Sequence, residues 1–161
     1  MRHLFFISFL ALYLSACVKR PSTSPEPTLE YKDFFAFRVR GNSDSAIAVL
    51  KYEDGDGDLF MDNTTDGPNL IGTFYYLDRF TGTFKAVYNP VIKDTLRFTQ
   101  TVLQPKDASY KGKSIQGEIY IPVRDFRTGD SVKTFKYTFF MKDMQGHFTN
   151  TVTTGSITVD F

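Results

Sequence analysis

The densest chemistry in the chain lies in the run Glu53-Asp54-Gly55-Asp56-Gly57-Asp58. Three carboxylates recur at every second position, with a glycine between each pair. Glycine lets the backbone curl so that alternate side chains face one centre. Hard cations such as Ca²⁺ take about six to eight oxygen ligands, and carboxylates at i, i+2 and i+4 are a common way to begin that shell. The run is not an EF-hand, which would place Gly at the sixth position of a loop starting at Asp54 and Glu at the twelfth. Leu59 and Thr65 stand there instead. Asp62, Asn63 and Asp66 follow, either as further oxygen ligands or as more polar loop. Asp-Gly runs are also ordinary turn chemistry, with Asp side chains accepting from local backbone N–H groups. The sequence leaves both readings open.

The second reactive group is Cys17, the only cysteine. Basic Arg2 and an apolar run over residues 4–14 precede it, and Leu14-Ser15-Ala16-Cys17 closes that run. This is the layout of a secretory signal ending in a lipobox. The apolar run is too short for a bilayer span, which takes about 20 residues. The expectation is a signal peptide over residues 1–16 and a diacylglycerol thioether on Cys17. More than one acyl chain on that cysteine makes the anchoring stable. Residues 17–30 carry Pro21, Pro25 and Pro27 among small polar residues and read as a flexible tether. A domain over residues 31–161 would then have no disulfide and depend on its core alone.

Charge and composition exclude several functions. Loss of the leader removes Arg2, so Lys+Arg falls from 19 to 18 and equals the 18 Asp+Glu. A neutral chain lacks the basic excess of a nucleic-acid binder. His147 is the one histidine beyond the leader, so a His/Cys zinc site is excluded on residue count. A Ser-His-Asp set would need His147, Asp143 and an unidentified serine, and no nucleophile elbow is present. The chain reads as a non-enzyme, with His147 an exposed turn residue.

These groups need a scaffold, and the scaffold reads as strands. Beyond the leader eighteen Thr stand against five Ala, and the chain holds 17 Phe and 9 Tyr. That balance suits pleated, half-buried surfaces. Period-two alternation recurs along the domain. Phe35, Phe37 and Val39 alternate with Ala36, Arg38 and Arg40, and Ile47 and Val49 alternate with Ala48 and Leu50 in a strand with apolar residues on both faces. Residues 70–78 and 83–88 read as a hairpin turning through Arg79-Phe80-Thr81-Gly82. Leu96 and Phe98 share a face in 95–103. Ile115, Gly117, Ile119 and Ile121 alternate with Gln116, Glu118 and Tyr120. Phe135, Tyr137, Phe139 and Met141 share a face, as do Ile157, Val159 and Phe161. The expected fold is all-β: an immunoglobulin-like or fibronectin-like antiparallel β-sandwich of about 7–9 strands, with a closed barrel as the alternative.

Topology then brings distant residues together. With the strand near 45–52 as B, that near 70–78 as C and that ending at Lys142 as F, the acidic run is the B–C loop. Residues 143–147 form the F–G turn at the same end. Asp143 is thereby expected to join Asp54, Asp56 and Asp58 as a Ca²⁺ ligand.

The lipobox, the Pro/Ser tether, the Asp-Gly-Asp-Gly-Asp run, the Gly117–Ile121 strand and the hairpin from Asp143 to Gly146 together resemble small uncharacterised lipoproteins of Bacteroidetes-type bacteria. That resemblance implies an envelope location and an immunoglobulin-like fold, and no activity. Two functional classes follow. One is a protein-interaction or assembly module of the envelope. The other is a carbohydrate- or small-ligand-binding module using Tyr75, Tyr76, Tyr110 and Tyr120 as stacking faces. An exposed planar row of aromatics favours a glycan; a flat apolar patch or unprotected edge strand favours a protein. Val18 after Cys17, with no acidic cluster close behind, points to the periplasmic face of the outer membrane.

Overall fold

The computed structural model describes residues 24–39, 43–106, 110–124 and 132–160. Cys17, the expected signal peptide and most of the stretch read as tether lie outside them. Two antiparallel sheets pack into a sandwich. The first has three strands in the order β1 (Thr28–Val39), β2 (Ser43–Asp54), β8 (Ile115–Arg124). The second is built on β3 (Leu70–Asp78) and β9 (Thr134–Met141), which pair side by side. On its far side β3 pairs with β7 (Arg97–Gln100) and then with β4 (Thr83–Ala86). On its far side β9 pairs with β10 (Val152–Thr153) and β11 (Ile157–Thr158). Tyr88–Asn89 (β5) and Asp94–Thr95 (β6) make a small separate ribbon. Seven strands thus have four residues or more, and four are two-residue pieces. Among the described residues the one helical element is a 3-10 turn at Thr64–Asp66. No helix there is long and apolar enough to cross a membrane.

Alternation places the core. Along β9, Phe135, Tyr137, Phe139 and Met141 are buried and the residues between them are not. Ile119, Ile121 and Val123 of β8 and Ala46, Ala48 and Leu50 of β2 face them from the other sheet. A fully buried Leu, Ile or Phe contributes roughly 1.5–3 kcal/mol relative to exposure, so these side chains dominate the packing energy. Phe34 crosses the gap, with its ring 5.9 Å from those of both Phe135 and Tyr137. The β3–β4 hairpin turns through Asp78 to Gly82, and Gly82 takes φ +66° as the turn requires. The Leu96–Phe98 pairing expected in one strand is broken. β6 pairs with β5 and β7 with β3, so the chain changes partner at Leu96, which is left exposed while Phe98 packs on Phe139.

Two local events change how β1 sits. It begins at Thr28, inside the stretch read as tether. Leu29 is buried, and the Asn150 amide grips its backbone: Leu29 N–H donates to Oδ1 at 2.8 Å, and Nδ2 donates to the Leu29 carbonyl at 2.9 Å. A side-chain amide thereby stands in for a neighbouring strand and draws these residues onto the sheet. Further on, the register slips between Tyr31 and Asp33, opposite Leu50 and Val49, which leaves Lys32 as an extra residue. One inserted residue moves every later side chain to the opposite face. Phe34 and Ala36 therefore pack against the core, and Phe35 and Phe37 point outwards, 52% and 43% exposed.

Candidate functional site

The acidic run forms the loop after β2, at one end of the sandwich. Asp54 ends the strand and is fully buried. Its Oδ2 accepts from Leu59 N–H at 3.0 Å and its Oδ1 from Asp56 N–H at 3.5 Å, which folds the loop back on itself. Gly57 makes the return at φ +74°, packed so closely under the carbonyls of Tyr110 and Lys113 that a Cβ would overlap both. The curl places one carboxylate oxygen each of Asp54, Asp56 and Asp58 within 4.8 Å of the others. Asp56 uses Oδ2 to accept from Gln145 Nε2 at 2.9 Å, and its Oδ1 is buried without a partner. Asp58 is 7% exposed, and neither of its carboxylate oxygens makes a well-formed hydrogen bond, although the Gln145 amide stands close enough to favour its charged form. Burial, followed by the nearby charge of Asp143, pushes the Asp58 carboxyl up to about 6. Burial also raises Asp54, against the lowering effect of the two N–H groups it accepts from.

Three chain segments meet here. Gly112 N–H donates to the Asp56 carbonyl and Met144 N–H to the Asp58 carbonyl. Asp56, Asp58, Lys111, Gly112, Met144 and Gln145 line a shallow open depression. The loop from β2 to β3 and the turn after β9 thus lie at one end, as their topology requires. Asp143 comes beside Asp58, but it is not one of the three clustered carboxylates. Fully buried, it accepts from His147 N–H at 2.8 Å and pairs with His147 Nδ1 at 2.9 Å. Asp143 therefore orders its own turn, and its hydrogen bond, followed by its charge, raises His147, which is exposed.

The second acidic group behaves as turn chemistry. Asn63 caps the 3-10 turn by accepting from Thr65 N–H, and Asp66 accepts from Asn63 N–H. Asp62 pairs with Lys111 at 2.7 Å. A residue with no signal in the sequence holds the loop's far end. Asn69, fully buried, accepts from Val102 N–H at 2.7 Å and donates to the Leu59 carbonyl at 2.8 Å. Gln145 sits in a turn already singled out, yet nothing in its residue type marks it as a partner of Asp56.

The outward face of the three-stranded sheet is the other candidate surface. Phe35, Ile47 and Pro122 align across β1, β2 and β8, and Asp33, Val49 and Tyr120 form the next row. Tyr120 is 62% exposed, whereas Val49 is almost wholly covered although it points away from the core. The Lys32–Glu118 and Lys51–Glu30 pairs border this patch. The four tyrosines expected as stacking faces do not form one row. Tyr76 and Tyr110 pack against the core, Tyr75 is half-buried under Lys136, and Tyr120 stands on the opposite sheet.

No family model, curated protein or solved structure matches this chain.

Proposed function

We propose that this protein is a lipid-anchored, non-catalytic module of the cell envelope that docks an apolar surface of another envelope protein through the outer face of its three-stranded sheet. The observation that carries this reading is the patch of Phe35, Phe37, Ile47, Tyr120 and Pro122 on a mature chain without net charge. A contiguous apolar surface rimmed by charged pairs has the anatomy of a protein interface. A glycan needs hydrogen-bonding groups beside its stacking faces, and the row Phe35, Ile47, Pro122 offers none from its side chains. Strand addition at β8 is disfavoured, because Pro122 on that edge strand lacks the N–H that an added strand would use.

The strand order supports an immunoglobulin-like assignment. The first sheet corresponds to A-B-E, and β9, β3 and β4 correspond to F, C and an added edge strand, with β10 and β11 together forming G. The leader ending at Cys17 supports anchoring, and a tether of about ten residues keeps the domain close to the membrane. The partner is accordingly a protein of the same compartment, and the periplasmic face of the outer membrane is our placement.

The test is a photo-crosslinking residue placed at position 120 of the full-length lipoprotein in its own cells, with position 85 on the second sheet as control. A discrete protein adduct from position 120, lost on Phe35→Glu, supports the docking face. The same adducts from both positions, or adducts only with polysaccharide, overturn it. Metabolic labelling with palmitate tests the anchor separately, because Cys17→Ala must abolish the label.

A further inference from the structure

The loop after β2 buries negative charge without giving it a partner. Asp54, Asp56 and Asp58 converge to within 4.8 Å of one another. A cluster of acids alone is ordinary on a protein surface, but in this one Asp54 and Asp58 are buried and Asp56 is partly so. Asp58 is only 7% exposed, and neither of its oxygens makes a well-formed hydrogen bond; Asp56 Oδ1 is buried and equally without one. Buried carboxylates are nearly always hydrogen-bonded, paired or bound to metal, because an isolated buried charge is costly. Two cations that feel the Asp58 charge are already engaged: Lys111 pairs with Asp62, and His147 with Asp143. Among the described residues no ion pair to Asp56 or Asp58 is formed, and three carboxylate oxygens are left without a well-formed hydrogen bond.

We propose that Asp54, Asp56 and Asp58 hold a Ca²⁺ ion at the end of the sandwich. The donor set is all carboxylate oxygen, which suits a hard cation and not zinc. Calcium accepts irregular shells of carboxylates and carbonyls, whereas Mg²⁺ demands a near-ideal octahedron and keeps its waters. The same loop is fastened by its Asp56 and Asp58 carbonyls to Gly112 and Met144. Fixing the three side chains therefore also fixes the segments at 110–113 and 143–147. This site stands independently of the docking face, which lies on the outer surface of the first sheet.

The experiment uses the mature lipoprotein in detergent micelles, stripped with EDTA and then titrated with Ca²⁺ alone or Mg²⁺ alone. Calcium is expected to bind with a Kd of roughly 0.1–1 mM, the range of extracellular modules. At ten times that Kd it raises Tm by roughly 3–6 °C, with a much smaller response to Mg²⁺. Asp58→Asn removes the calcium response and, in EDTA, melts above the wild type because the orphaned charge is gone. Asp56→Asn, at a carboxylate that accepts from Gln145 Nε2, serves as the second variant and must also lose the response. Terbium emission excited through Tyr52, which lies in the field of Asp54, gives a readout independent of melting. It should appear in the wild type, fall on addition of calcium, and be absent from both variants. No Tm shift and no terbium emission at millimolar ion overturns the site. So does a calcium response that persists in both variants, or one equalled by Mg²⁺.

Discussion

Asn69→Ala tests how the acidic loop is held to the sandwich. The Asn69 side chain is fully enclosed where the loop rejoins the second sheet. Its Oδ1 accepts from Val102 N–H at 2.7 Å and its Nδ2 donates to the Leu59 carbonyl at 2.8 Å. Its backbone bonds, to the Gln100 carbonyl and from Lys142 N–H, survive truncation. Alanine therefore orphans one donor and one acceptor and leaves the main chain paired. A buried polar group stripped of its partner costs about 1–3 kcal/mol. The Leu59 carbonyl lies in a fully buried bond and takes the full cost, while Val102 is half-buried and recovers part of its cost from water. The sum is about 2–4 kcal/mol, enough to lower Tm by roughly 5–15 °C in a chain of this size. Urea denaturation of wild type and variant should show a lower midpoint with an unchanged slope. Hydrogen exchange should localise the loss to the amides of Val102 and of residues 54–60. A variant within about 0.5 kcal/mol of wild type would refute the reasoning, since it would mean that these bonds are replaced at no cost.

Other substitutions probe separate features. Gly57→Ala puts a Cβ into the Tyr110 carbonyl at a positive φ, so it should destabilise by more than about 1 kcal/mol and speed proteolysis at the loop; unchanged melting and cleavage count against the curl described. Asp78 accepts from Lys85 and from Phe80 and Thr81 N–H groups, and the Lys85 hydrogen bond foremost holds its carboxyl down at about 2. Its folded value lies below its unfolded one, so its contribution is present at neutral pH and is lost as pH falls from about 4 towards 2. Asp78→Asn should flatten the stability profile across that window, and identical slopes would contradict the pairing. On β8, Ile121→Ala should cost about 2–5 kcal/mol, whereas Tyr120→Ser next to it should stay within about 0.5 kcal/mol; equal losses would reverse the assignment of the strand's two faces.

The alternations over β8 and β9 could be read directly, because a strand's period of two is a property of neighbouring residues. Phe135 to Met141 and Ile119 to Val123 therefore turned up where the pattern put them. The end of the sandwich at which the acidic loop meets the turn after β9 followed from strand order alone. The leader expected before Cys17 is read from consecutive residues alone and lies outside the described residues. Tertiary structure decided the rest. The extra residue at Lys32 turned Phe35 and Phe37 outwards, and no period shows an insertion whose only mark is a shift against a partner strand. Asn69 and Asn150 look like loop amides until the backbone groups they satisfy are brought to them from 33 and 121 residues away. The carboxylates show the same division. Asp58, Asp62, Asp66 and Asp143 are one residue type within polar turns, yet Asp62 found Lys111, Asp66 found the Asn63 backbone and Asp143 found His147. Asp58 was buried without a well-formed hydrogen bond to either oxygen. Sequence placed the charges; burial and the supply of partners, which are properties of the folded surroundings, determined which of them was left without compensation.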